Sequence, residues 1–140
     1  TFAAISGGEM PNDRIIDGVN IWPILSGKEK SNVRDVFFYY QMDQLQAVRS
    51  GNWKLFVGME SKKRNWGKSE GRKELALYNL AEDIHEDKNV AADNPKVVKS
   101  LQKWVTEARK DLGDIGMQGN GQRKAGWVEK ASPRILNRNE

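Results

Sequence analysis

The chain has no cysteine and a single histidine, His85, in 140 residues. Without cysteine there is no disulfide, no thiolate zinc site and no cysteine nucleophile. One histidine excludes a His-rich metal site and argues against a Ser-His-Asp triad. No run approaches the ~18 consecutive apolar residues that a membrane-spanning helix needs. Thr1-Phe2-Ala3-Ala4-Ile5 does not read as a signal peptide, having neither a charged n-region nor a long apolar stretch. Little self-contained chemistry is left to this chain.

What remains is one ordinary domain, long enough to bury a core. Hydrophobic residues make up 38% and charged residues 30%, as in a globular protein with a polar surface. The net charge of +4 is uneven: residues 1–60 carry 6 basic and 7 acidic groups, residues 61–140 carry 17 and 12. The excess gathers at Lys62–Lys73 and from Arg123 to Arg138, either as solvated surface or as a polyanion-binding patch. The start at Thr1, without Met, reads as the middle of a longer chain.

Phe2–Ser6 reads as a helix end stopped by Gly7-Gly8. The segment Glu9–Asn32 has turn formers at Pro11, Asp17-Gly18 and Pro23, and one helical turn at Trp22–Leu25. Its apolar residues Ile15, Ile16, Val19, Ile21, Trp22, Ile24 and Leu25 require a surface to lie on. Val36–Tyr40 is β-branched and aromatic and reads as a strand buried on both faces. Leu45–Arg49 and Trp53–Val57, separated by Ser50-Gly51-Asn52, read as a hairpin. Lys62–Lys73 is an excursion, and Leu75–Leu80 is a fourth strand. Asn94-Pro95 opens a helix, as N-cap and first helical residue. Val97, Val98, Leu101, Trp104, Val105, Ala108 and Leu112 form its apolar stripe, and Gly113 ends it. The fold class is therefore α+β: a small antiparallel sheet of about four strands against one long C-terminal helix. An extended N-terminal segment precedes it and an irregular tail follows.

Motifs for chemistry are sparse. There is no Walker-type phosphate loop or dinucleotide fingerprint. His85 lies among Glu82, Asp83, Glu86 and Asp87 without the spacing of a calcium loop, so it reads as a surface turn. No catalytic residue and no metal ligand is assigned. The polar residues between the first two strands are more informative. Tyr40, Gln41, Asp43 and Gln44 sit where a rigid sheet presents a turn, and such turns carry ligand contacts. The pattern admits both a plain polar hairpin turn and a substrate-binding one.

The order of several pieces resembles a known family. These are Thr1–Gly8, then Ile16–Gly27 with Trp22-Pro23-Ile24-Leu25-Ser26-Gly27, then Val36–Tyr40. Leu45-Gln46-Ala47-Val48-Arg49-Ser50-Gly51-Asn52-Trp53-Lys54-Leu55 follows. Last come Leu77-Tyr78-Asn79-Leu80 with Asp83, Glu86, Asn89, Val90 and Ala91, and Asn94-Pro95. Together, over Thr1 to about Leu112, they resemble the C-terminal region of formylglycine-dependent sulfatases of arylsulfatase type, in the alkaline-phosphatase-like superfamily. The resemblance implies a parent that hydrolyses aryl or carbohydrate sulfates, with this part as scaffold and substrate-pocket wall. It implies that calcium and formylglycine lie in an N-terminal catalytic domain, this chain's expected partner, alongside a sulfated small molecule or glycan. It implies a periplasmic or secreted protein. No membrane partner is expected, and a nucleic-acid partner is disfavoured. The formylglycine motif C/S-x-P-x-R is absent, since Ser132-Pro133-Arg134 has the wrong spacing. The chain alone is then expected to be inactive.

On this reading residues 1–33 connect from the catalytic domain, 34–113 form the subdomain and 114–140 are the tail. Ile84 departs from the family pattern, standing where relatives carry a proline. The competing reading is a stand-alone α+β module that binds a polyanion, a sulfated glycan or nucleic acid.

Overall fold

The Val36–Phe56 run, rich in residues that suit a pleated surface, builds three consecutive strands in a computed structural model of the chain. They are β1 (Val36–Gln41), β2 (Gln44–Ser50) and β3 (Trp53–Phe56). The structure describes residues 1–132 except 14, 31–33, 59–62, 65–66, 69–70, 72–73 and 125. Two short strands, β4 (Lys63–Arg64) and β5 (Gly67–Lys68), pair with each other, and the rest of the Lys62–Lys73 excursion lies almost entirely outside the described residues. β6 (Ala76–Asn79) then returns to complete an antiparallel sheet of order β1-β2-β3-β6. The β2–β3 turn has Gly51 at φ 56°, the first central position, where a two-residue hairpin of this kind favours glycine.

One irregularity organises the core. Tyr39 pairs with Ala47 but Tyr40 pairs with Leu45, so Gln46 is an extra residue in β2. This bulge brings Leu45 and Val48, three apart, to the same face. Both join Leu55 and Leu77 in a buried cluster. Phe38, Tyr40 and Trp53 pack around it.

The helix α3 (Pro95–Leu112) covers that face. Its buried residues are Leu101, Val105 and Ala108, one stripe at helical spacing, with Val97 and Val98 packed beside them. Trp104 and Leu112, expected in the stripe, lie at its edges and are 42% and 37% exposed. The buried stripe is narrower than the sequence suggests, since a single sheet face contacts only one side of the helix. Asn94 holds the N-cap position, yet its side chain donates back to Val90 O instead of capping a helical amide. Arg109 and Lys110 in the last turn complement the negative end of the helix dipole.

The expectation that β1 is buried on both faces is not met: Phe37 is 50% exposed. β1 is an edge strand, and its outward residues lack a covering layer over much of their surface. Near the start of the chain, α1 (Phe2–Ser6) ends at Gly7, with φ 71°, and α2 (Trp22–Leu25) is a single turn. Thr1 Oγ1 ties the two, donating to Val19 O and accepting from Ile21 N. After α3, β7 (Gly113–Asp114) and β8 (Met117–Gln118) make a small hairpin. Asn120 N and Gly121 N then bond back to the Lys110 and Asp111 carbonyls, folding this stretch against the helix end.

Candidate functional site

The β1–β2 turn contains only Met42 and Asp43, since Gln41 and Gln44 already pair as the last rung of the ladder. It is a tighter turn than the polar run suggests. Met42 adopts φ 57° and is 73% exposed, a left-handed conformation that costs a non-glycine residue about 1 kcal/mol. The turn is held in that shape from both sides.

On the β1 side, the Tyr40 hydroxyl donates to Gly113 O at 2.8 Å, with Ala108 O at 3.3 Å as a second acceptor. On the β2 side, Leu45 N donates to Asp114 Oδ1 at 3.2 Å. Asp114 Oδ1 also accepts from Ile115 N, and its Oδ2 accepts from Arg109 Nε at 2.8 Å. A carboxylate with an ion-pair partner and two amide donors is a well-satisfied part-buried charge. The turn is therefore clamped to the end of α3 through Tyr40 and Asp114. Burial first, and then the neighbouring Asp114 carboxylate, raise Tyr40 above the usual phenol value, with Arg109 opposing. The hydroxyl stays protonated and keeps donating.

Beside this clamp lies an open cavity of about 680 Å³, lined in part by Tyr40, Met42, Asp43, Asp114, Gln118 and Gln122. Of the four residues expected to bind substrate, Tyr40 and Asp43 meet here. Tyr40 contributes its ring, because its hydroxyl is engaged with the helix end. Asp43 is exposed and supplies a carboxylate that accepts hydrogen bonds. Gln41 is turned to Gln46, whose Nε2 donates to Gln41 Oε1 at 2.8 Å. Gln44 is only 5% exposed and does not line the cavity. Asp114, Gln118 and Gln122 are residues that reading the sequence misses. They follow the helix in a glycine-rich stretch without periodicity, and nothing local ties them to a turn some 70 residues earlier.

The remaining sequence motif has a structural role. Asn89 Oδ1 accepts from Leu77 N and Ala91 N, and its Nδ2 donates to Leu75 O, so Asn89 closes the free edge of β6. Asp83 accepts from Asp87 N and Lys88 N, which holds its carboxyl below the usual range. Glu86, at φ 62°, pairs with Lys54 Nζ at 2.6 Å. Ile84 is 68% exposed in this turn and takes no part in the clamp.

Among the described residues no group of three or more His, Cys, Asp or Glu is placed to hold a metal. No described helix is long and apolar enough to cross a membrane.

The family model for the C-terminal region of aryl-sulfatase matches residues 32–134. Steryl-sulfatase of Mus musculus is 40% identical over 60 residues, which is 40% of this chain and 10% of that protein. Arylsulfatase D of Homo sapiens is 39% identical over 49 residues, 35% of this chain and 8% of that protein. The matched stretch is thus about a tenth of the length of these relatives. A solved structure described with the metabolism of multiple glycosaminoglycans by Bacteroides thetaiotaomicron superposes with a TM-score of 0.63 at 26% identity. It covers 77% of this chain and 23% of that one. A second structure, in complex with its substrate D-glucosamine-2-N,6-O-disulfate, has a TM-score of 0.51 at 24% identity and shares the fold. It covers 79% of this chain and 22% of that one.

Proposed function

Because this chain belongs to the family of aryl-sulfatase C-terminal regions, we propose that it is the scaffold and one substrate-pocket wall of a sulfate-ester hydrolase. The observation that carries this is the clamped Met42-Asp43 turn beside an open cavity, in a chain of that family. The hydrolytic chemistry belongs to an N-terminal catalytic domain, with calcium and formylglycine held there. The donor set of this chain does not fit either group. It has no cysteine and no C/S-x-P-x-R sequence, and its described carboxylates do not gather.

The wall's own chemistry points to the uncharged part of a substrate. Asp114 is neutralised by Arg109, and the Asp43 carboxylate in the lining disfavours contact with a sulfate group. A carboxylate on a stiff turn instead accepts hydrogen bonds from hydroxyl groups, and the Tyr40 ring offers an apolar flank. An aryl or carbohydrate sulfate enters with its sulfate toward the catalytic domain and its hydroxyl-bearing part against Asp43. Export to the periplasm or the exterior accompanies this reading.

The test is Asp43→Ala in the complete enzyme. KM for a carbohydrate sulfate should rise about tenfold, the loss of one charge-assisted hydrogen bond, with kcat little changed. An unchanged KM overturns the role of Asp43. The 140-residue chain alone should not turn over an aryl sulfate, and turnover by it would overturn the scaffold reading.

A further inference from the structure

A second cavity lies on the sheet face away from α3. It encloses about 280 Å³ and is lined by Arg34, Asp35, Phe37, Tyr39, Arg49 and Gly51. That volume is near the lower end of the ~300–1,000 Å³ typical of small-molecule sites, and suits one sugar ring. Phe37 and Arg49 are cross-strand partners, so strand pairing places a half-exposed ring beside a guanidinium. Phe37 and Tyr39 meet edge to face, with centroids 4.9 Å apart. Arg49 Nε donates to Gly51 O at 3.0 Å. That bond uses one of five donors, orients the guanidinium plane and leaves the Nη edge for a ligand. Arg34 brings a second cation to the rim, and its Nη2 donates to Asp17 O. Lys54 Nζ stands 4.7 Å above the Tyr39 ring and pairs with Glu86.

We propose that this cavity is a binding site for one sugar unit carrying a sulfate group, separate from the turn at Asp43. Arginine presents a planar fork that matches the oxygens of a sulfate. The half-exposed Phe37 ring offers a flat apolar face to the C–H side of a pyranose. Asp35 accepts from hydroxyls, which favours a sugar over a bare anion. One bounded cavity with a carboxylate in its lining is unlike the long cationic track that a nucleic-acid backbone needs. The proposal requires neither catalysis nor the Asp43 contact, so it stands or falls apart from the reading above.

The test is equilibrium binding to the 140-residue chain, by calorimetry and by amide shift mapping. The probes are monosulfated N-acetylglucosamine, unsulfated N-acetylglucosamine and inorganic sulfate. The sulfated sugar should bind, should shift the Phe37–Tyr39 and Arg49–Gly51 amides, and should weaken as salt is raised. Arg49→Gln, at an exposed position, should weaken it about tenfold or more while leaving the unfolding midpoint nearly unchanged. Phe37→Ser should weaken the sulfated sugar but not inorganic sulfate. Equal binding of sulfated and unsulfated sugar overturns the proposal, as does wild-type affinity in Arg49→Gln. Shifts confined to Met42–Leu45 also overturn it, by assigning binding to the other cavity.

Discussion

Tyr40 is the residue on which the site turns, and its value lies in the hydroxyl as much as the ring. Replacing it by phenylalanine keeps the packing against Leu45 and removes the bond to Gly113 O. Tyr40→Phe should cost about 1 kcal/mol in urea unfolding and raise amide exchange around Gly113 and Asp114. The pH dependence has a definite sign. The folded value is raised above 10.0, so the tyrosine's stabilisation is full below that value and is lost as pH rises through the folded one. The wild type should lose stability on that alkaline climb, and Tyr40→Phe should lose less. Identical alkaline profiles would mean that Tyr40 does not hold the turn.

At the scale of elements, the hairpin after α3 depends on Gly113 for two reasons. Its φ is 89°, and an added Cβ would lie 2.5 Å from Met117 O and 2.8 Å from Gly119 N, both backbone atoms that cannot swing aside. Gly116 shares the positive φ, 69°, but a Cβ there meets nothing within 4 Å. Gly116→Ala should therefore cost about 1 kcal/mol, from conformation alone. Gly113→Ala should cost more than about 2 kcal/mol, and should release Asp114 from Leu45. Comparing the two melts separates backbone strain from steric conflict, and equal losses would contradict the close approach. The strands are legible in the sequence: Trp53, Leu55 and Val57 alternate, and Ser50-Gly51-Asn52 marks the turn. The helix was equally plain from Asn94-Pro95 and the Leu101, Val105, Ala108 spacing. The bulge at Gln46 was not, because simple alternation groups Leu45 with Ala47 and Arg49 and leaves Val48 on the other face.

The whole molecule carries an N-terminal segment whose apolar side chains remain uncovered. Phe2 is 89% exposed, Ile15 88% and Leu25 63%. Such a surface needs a partner, and under the proposed function that partner is the catalytic domain. Leu25→Ser should weaken association with a separately produced catalytic domain by about tenfold or more, the burial of one leucine, as read by sedimentation. No change would remove this segment from the interface. Strand and helix identity and the family were readable along the chain, because they depend on near-neighbour pattern and on the order of short motifs. The union of Tyr40 and Asp43 with Asp114, Gln118 and Gln122, and the exclusion of Gln41 and Gln44, were decided by tertiary packing. Those contacts span about 70 residues, and only the bulge and the docked helix end bring them within hydrogen-bond reach.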